Sequence, residues 1–208
     1  MGYNKFNLKL IHDIIDNNNN VKEFLELGNQ YINNTELDID ERVGKIYFTK
    51  LGYNHTSIDW NGQDGAIKMD LTKDIDEEYI GKFDIVTNAG TTEHIRGQYT
   101  VFKNLHNFGK ETCFYVNSLP LDTNQNQELY NRRTNPHGLY EYNTKFFELL
   151  CESCNYEIID INTDIGVWGG NHFCNATYKK TKDSYFISQE NFKELMSHII
   201  FYKNGSAK

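Results

Sequence analysis

Three acids close three short apolar runs early in the chain. The run "VKEFLEL" carries Glu26 two residues before Gly28, "HTSID" ends on Asp59, and "AIKMDL" brings Asp70 next to Leu71. If these runs are strands, each carboxylate sits at or just past a strand end. An acid placed there can accept hydrogen bonds from both hydroxyls of a ribose. Gly28 lets backbone approach a ligand closely, because it has no side chain to interpose. A fourth run, "FDIVTNAG", breaks at Asn88, Ala89 and Gly90 and then sets Glu93 beside His94. His137 follows in "NPHGLYEYN", between Pro136 and Gly138. Glu93, His94 and His137 are the candidates for proton transfer, since carboxylate and imidazole are the usual acid–base groups. Each also has an ordinary structural reading, as a helix cap or a turn residue.

The elements that must position these residues can be read from periodicity. "NLKLIHDIIDN" spaces Leu8, Ile11 and Ile15 as one helical face, giving an N-terminal helix over about 5–17. Strands follow at 21–27, 55–59, 66–71, 82–88 and 112–120, with "YEIIDIN" and "NHFCNATYKK" as the last two. Helical patterns lie in "RVGKIYFTKLG", in "GQYTVFKNLHNFG", in "NTKFFELLCESC" with Asn143 as N-cap, and in the closing "SQENFKELMSHIIFYK". Strands alternating with helices define an α/β fold: a doubly wound, mostly parallel seven-stranded sheet with helices on both faces. The final two strands lack an intervening helix, so they form an antiparallel hairpin at the edge. Glu93 and His94 are expected to open the helix after the fourth strand.

Composition narrows the function. A chain of 208 residues with 38% hydrophobic content can bury one sizeable core, and residues 1–208 read as a single domain. Within it, the polar loop at 121–138 is long enough to point to a functional role. The net charge of −8 disfavours binding to a nucleic acid backbone. No run approaches the roughly 20 apolar residues that span a bilayer, and the N-terminus lacks a secretory signal, so a cytoplasmic protein is expected. Cys151 and Cys154 form a C-x-x-C, and His172 and Cys174 follow, but the pair falls on the buried face of a helix. Packing explains it better than zinc, and no metal is expected.

The order of these motifs resembles the class I S-adenosylmethionine-dependent methyltransferases. "FLELGNQ" is similar to the family's first motif, E/D-x-G-x-G-x-G, with Glu26 and Gly28 in place. "SID" resembles the acid that ends the second strand, and "MDL" the motif after the third. "FDIVTNAGTTEHI" resembles the fourth-strand motif, and "KNLHNFGKETCFYVNSLP" the helix, turn and fifth strand beyond it. The likeness is carried by residues 22–120, and by the strand–strand–helix pattern thereafter; it implies a cofactor half over about 21–120 and an acceptor loop and C-terminal half over about 121–202. It implies S-adenosylmethionine as co-substrate, with Asp59 on the ribose and Asp70, Leu71 and Trp60 near the adenine. It further implies Gly28, Asn88, Ala89 and Gly90 along the cofactor's edge, and a small molecule or sugar as methyl acceptor. Tyr130, Tyr140 and Tyr142 would then line an acceptor pocket beside His137.

The departures are specific. Gln30 and Ile32 stand where the motif's second and third glycines fall, so Asn29 and Gln30 side chains would replace part of the backbone cradle. The stretch from Glu26 to Asp59 is long, which implies an insertion near 30–42. Two other readings compete. A methyltransferase-like chain can bind without catalysing, because fold does not fix function. "VTNAG" and the Tyr99-x-x-x-Lys103 spacing resemble short-chain dehydrogenases. The first strand, however, lacks the glycine loop that would hold a pyrophosphate.

Overall fold

The computed structural model describes residues 2–32, 41–123, 137–168 and 171–203. The chain opens with a two-residue strand, β1 (Gly2–Tyr3), and helix α1 (Lys5–Asn17). Asn4 and Asn7 cap this helix reciprocally, each side-chain oxygen accepting the other's backbone N–H at 3.0 and 2.8 Å. Next come β2 (Glu23–Leu27), β3 (Tyr31–Ile32), α2 (Gly44–Lys50), β4 (Asn54–Ile58), β5 (Phe83–Ala89), α3 (Gln98–Phe108) and β6 (Gly109–Pro120). The C-terminal half holds β7 (Tyr140–Glu141), α4 (Thr144–Cys154), β8 (Glu157–Trp168), β9 (Asn171–Lys179), α5 (Gln189–Leu195) and β10 (Ile200–Phe201).

Among the described residues the main sheet has six strands, in the order β4-β2-β5-β6-β9-β8. β4, β2, β5 and β6 run parallel, whereas β9 runs antiparallel between β6 and β8. The edge hairpin is as expected, but the sheet is mixed and one strand short of seven. The missing strand is 66–71. Only Ile67 reaches the ladder, donating to Ser57 O at 2.7 Å and accepting from Asp59 N at 3.0 Å. Asp70 then folds into a turn, its Oδ1 accepting from Thr72 N and Oγ1, and ends the run before a second rung can form.

Side-chain alternation along the strands feeds two cores. Phe24 and Ile85 pack with Tyr3, Leu8, Ile11 and Phe48 of the α1–α2 side. Leu25, Leu27 and Val86 pack with Phe102, Phe108, Phe146, Phe147 and Phe192 of the α3–α5 side. Helices therefore cover both faces. Asn143 caps α4, its side chain accepting from Phe146 N at 3.0 Å. Among the described residues no helix is long and apolar enough to cross a membrane.

Two helical expectations are corrected. The closing pattern does not stay helical: α5 stops at Leu195, a single 3-10 turn follows, and Ile200–Phe201 becomes β10 against β7. Glu93 and His94 do not open a helix either. They lie in a 3-10 turn, Thr92–His94, and α3 begins only after Gly97, whose φ of 80° no helix accommodates.

The register sets the rim. Leu27 pairs with Ile58 on one side and Asn88 on the other. The turns that leave β2, β4 and β5 are thereby brought to one edge, outside the carboxyl ends of three parallel strands.

Candidate active site

A cavity of about 660 Å³ lies on that rim. Of the residues singled out from sequence, Gly28, Asn29, Gln30, Asp59, Trp60, Asp70, Leu71, Gly90 and His94 line it. Glu26, Asn88, Ala89, Glu93 and His137 are not among its lining. Thr91, Met69, Ile95 and Arg96 also line the cavity and were not singled out. Arg96 stands two residues past His94, which is the one sequence signal that could have flagged it.

Asp59 is held by backbone. Its Oδ2 accepts from Asn29 N at 2.7 Å and its Oδ1 from Asn61 N at 2.8 Å. Each oxygen keeps a further lone pair, so the carboxylate can still receive two hydroxyls. Trp60 is 65% exposed, with the Lys68 ammonium 5.4 Å from its ring centroid. Asp70 is exposed, and its bonds from Thr72 hold its carboxyl below the usual range. Leu71 is buried, its carbonyl taken by Asn104 Nδ2 at 2.9 Å.

The turn after β2 departs from a glycine cradle. Gly28 has φ of 80°, and a Cβ there would meet Gln30 Nε2 at 2.3 Å and Thr91 Oγ1 at 2.5 Å. The Gln30 side chain folds under Gly28, where Nε2 donates to Leu27 O at 2.8 Å and to Thr91 Oγ1 at 2.9 Å. Thr91 Oγ1 reaches the same Leu27 carbonyl at 2.8 Å. A side-chain strut thus joins the ends of β2 and β5 where the motif would have bare backbone. Glu26 supports the turn from below: Oε1 accepts from Gln30 N at 3.1 Å and from Ser57 Oγ at 3.0 Å. Its Oε2 lies 3.6 Å from His55 Nε2, both side chains being fully buried. Ile32 belongs to β3, and residues 33–40 of the inferred insertion lie outside the described residues.

Asn88 is committed to the interior. Its Nδ2 donates to Thr92 Oγ1 at 2.9 Å and Asn117 Oδ1 at 3.1 Å, so it shapes the turn that follows β5. That turn carries Glu93 and His94, and Gln98 clamps it, donating from Nε2 to Thr92 O at 2.8 Å and Ile95 O at 2.7 Å. Tyr142 OH in turn donates to Gln98 Oε1 at 2.6 Å.

Glu93 Oε1 lies 3.4 Å from His94 Nε2 and 4.0 Å from His137 Nε2. The two imidazole rings meet edge to face, centroids 4.9 Å apart. Glu93 and His94 are buried while His137 is exposed. The candidates for proton transfer are therefore one cluster, with His94 facing the cavity.

Tyr140 and Tyr142 do not line it. Tyr142 is buried as part of the clamp, Tyr140 packs on Phe201, and Tyr130 lies outside the described residues with most of the 121–138 loop. Cys151, Cys154 and Cys174 are buried in the α3–α5 core, where burial pushes their thiols up to about 12, 11 and 12. They pack there as small hydrophobes. Tyr99 packs on Phe186 and Phe192 and Lys103 pairs with Asp74, away from the cavity.

No family model matches the sequence, and no curated protein matches it. The fold does have counterparts among solved structures. One is the 1,6-didemethyltoxoflavin-N1-methyltransferase of Burkholderia thailandensis, bound to its substrate and S-adenosylhomocysteine. It shares 14% identity at a TM-score of 0.57, over 85% of this chain and 77% of that one. A second is an S-adenosylmethionine-dependent methyltransferase of Methanosarcina mazei: 13% identity, TM-score 0.56, over 83% and 97%. The N-methyltransferase NodS of Bradyrhizobium japonicum, in complex with S-adenosylhomocysteine, gives 11% identity and 0.55, over 85% and 86%. The chain has the fold of the class I S-adenosylmethionine-dependent methyltransferases.

Proposed function

We propose that this chain is an S-adenosylmethionine-dependent methyltransferase acting on a small-molecule or sugar acceptor. The observation that carries the reading is the rim cavity, with the Asp59 carboxylate fixed on its wall by two backbone N–H groups. Two of the fold's solved counterparts hold S-adenosylhomocysteine, and one of these also holds 1,6-didemethyltoxoflavin. In this reading Asp59 takes the ribose hydroxyls, and Trp60, Met69, Asp70 and Leu71 flank the adenine. Gly28, Asn29, Gln30, Gly90 and Thr91 face the methionine end. Residues 1–208 act as one domain, with no membrane or nucleic acid partner, in the cytoplasm.

Methyl transfer from a sulfonium asks the protein mainly to align the acceptor with the methyl group and exclude water. A base is needed only where the acceptor must lose a proton. His94 lines the cavity with the buried Glu93 carboxylate 3.4 Å from its Nε2, an arrangement that orients the imidazole.

A second reading, binding without transfer, is favoured by one observation: the Gln30 side chain fills space the motif leaves to backbone. The two readings separate experimentally. Calorimetry with S-adenosylmethionine and S-adenosylhomocysteine should show one site per chain. Labelled methyl transfer into a metabolite extract should then mark an acceptor. Binding without transfer to any acceptor would select the second reading, and binding of neither ligand would refute both.

A further inference from the structure

We propose that Glu93, His94 and His137 bind a divalent transition-metal ion at the inner end of the cavity. Among the described residues this is the group of three whose ligand atoms all lie within 4.8 Å of one another. Donors bonded to one ion at about 2.0–2.2 Å stand about 3–4 Å apart. Glu93 Oε1 and His94 Nε2, at 3.4 Å, already meet that spacing, and His137 Nε2, at 4.0 Å from Glu93 Oε1, lies at its upper edge. His137 is the exposed member, so it stands on the solvent side of the set.

The backbone holds these residues together, although they come from distant parts of the sequence. Leu139 N donates to Glu93 O at 2.7 Å, which fastens the His137 segment to the 3-10 turn. Gly138 makes that approach possible. A Cβ there would lie 2.7 Å from Glu93 Cγ and 2.8 Å from Glu93 O. From the other side, Tyr202 N donates to Leu139 O at 2.7 Å, and Tyr202 OH reaches Glu141 Oε2 at 2.9 Å. The Tyr142–Gln98 clamp fixes the turn itself. Three donors on two segments locked in this way form a preorganised half-shell.

The donor set selects the ion. Two imidazoles and one carboxylate suit zinc, iron(II), cobalt(II) or manganese(II), whereas magnesium and calcium favour all-oxygen sites. Three protein donors also leave positions open, the hallmark of a site that takes water or substrate. His94 lines the cavity, so those positions are next to the space where an acceptor would sit. A metal there would lower the pKa of a bound hydroxyl and orient it. That use rests on the methyltransferase reading; the ion site does not.

The full chain, stripped with chelator and dialysed, should be titrated with Co²⁺ and Zn²⁺, following cobalt absorbance and heat. One equivalent should bind to the wild type. Loss of an outer-shell partner alone typically costs about 10–100-fold in affinity, so His137→Ala and Glu93→Gln should each weaken binding by at least about 100-fold. His137→Ala keeps the test sharp should the buried Glu93→Gln fail to fold. Cobalt and zinc binding equally well to wild type and His137→Ala, or no saturable site in the wild type, would overturn the proposal. A site that takes Mg²⁺ but not Co²⁺ would overturn it too. S-adenosylhomocysteine binding by the metal-free protein is measured in parallel, so failure of the ion site and failure of the methyltransferase reading give different results.

Discussion

Replacing Asp59 by Ala tests the cofactor assignment at its most specific point. The carboxylate does two things in the structure. It accepts Asn29 N at 2.7 Å and Asn61 N at 2.8 Å, and it presents its remaining lone pairs to the cavity. The ligand-free protein feels only the first. Water can replace the exposed Asn61 bond, so the stability loss is mainly that of the part-buried Asn29 bond. That should be about 1 kcal/mol, a fall in melting temperature of about 2–4 °C. The ligand complex feels both. Two ribose hydroxyls bonded to an ionised carboxylate contribute about 1.5–3 kcal/mol, so Kd for S-adenosylhomocysteine should rise by about 10–150-fold. Calorimetry reads the affinity and a melt without ligand reads the stability, which separates the two contributions. Asp59→Asn keeps one acceptor and should fall between wild type and Asp59→Ala. Unchanged affinity in Asp59→Ala would refute the ribose assignment outright.

Three further perturbations bear on other parts of the argument. Gly28→Ala should destabilise the protein by about 2 kcal/mol or more, combining the left-handed backbone penalty of about 1–2 kcal/mol with displacement of the Gln30 strut; a wild-type denaturation midpoint would contradict the geometry at φ 80°. His94→Ala should cut methyl transfer about 10²-fold or more while leaving S-adenosylhomocysteine affinity nearly unchanged, and a fully active variant would remove His94 from the chemistry. Burial, with Lys180 nearby, holds His106 down at about 4 against an ordinary 6.5. The unfolded chain therefore takes up this proton first, and the stability present above pH 6.5 is lost as pH falls from there toward 4. Melts across that window should show a shallower slope in His106→Gln, and an identical slope would assign the acid sensitivity elsewhere.

Most of the sheet was legible because its strands are short apolar runs bounded by glycine, proline or acids. Phe83–Ala89 and Glu23–Leu27 are examples. What periodicity does not encode is whether a run finds a neighbour with ladder left to pair. Residues 66–71 alternate correctly, yet Asp70 leaves the ladder for a local turn with Thr72 after a single rung. The closing segment erred the other way. Met196 and Ile199 continue a helical stripe, but Tyr202 N finds Leu139 O, and strand pairing with β7 takes the chain beyond Leu195. Helix propensity is a weak prior against such a tertiary partner. At the site, Glu26 and Asp59 were legible because they stand at or just past the ends of their strands, and Asp70 because it closes an apolar run, although that run makes only a single rung. Met69 and Thr91 were not, since nothing local marks a side chain that the register turns into a cavity.

The two substitutions in the glycine motif bear on more than cofactor affinity. In a bare glycine turn the cradle is backbone, and its geometry is set by the strand it leaves. Here Gln30 Nε2 and Thr91 Oγ1 both end on Leu27 O, so the turn after β2 and the turn after β5 share one anchor. Thr91 leads directly into Thr92–His94, and Leu139 N ties that turn to the His137 segment. A continuous set of hydrogen bonds therefore runs from the floor of the cavity to the Glu93–His94–His137 cluster. Side-chain amides hold position less rigidly than backbone, but they can register two loops that backbone alone leaves independent. The departure at position 30 thus exchanges some of the backbone cradle for a side-chain tie that registers the turn after β2 against the turn carrying Glu93 and His94; in the methyltransferase reading that tie would help align acceptor and methyl group.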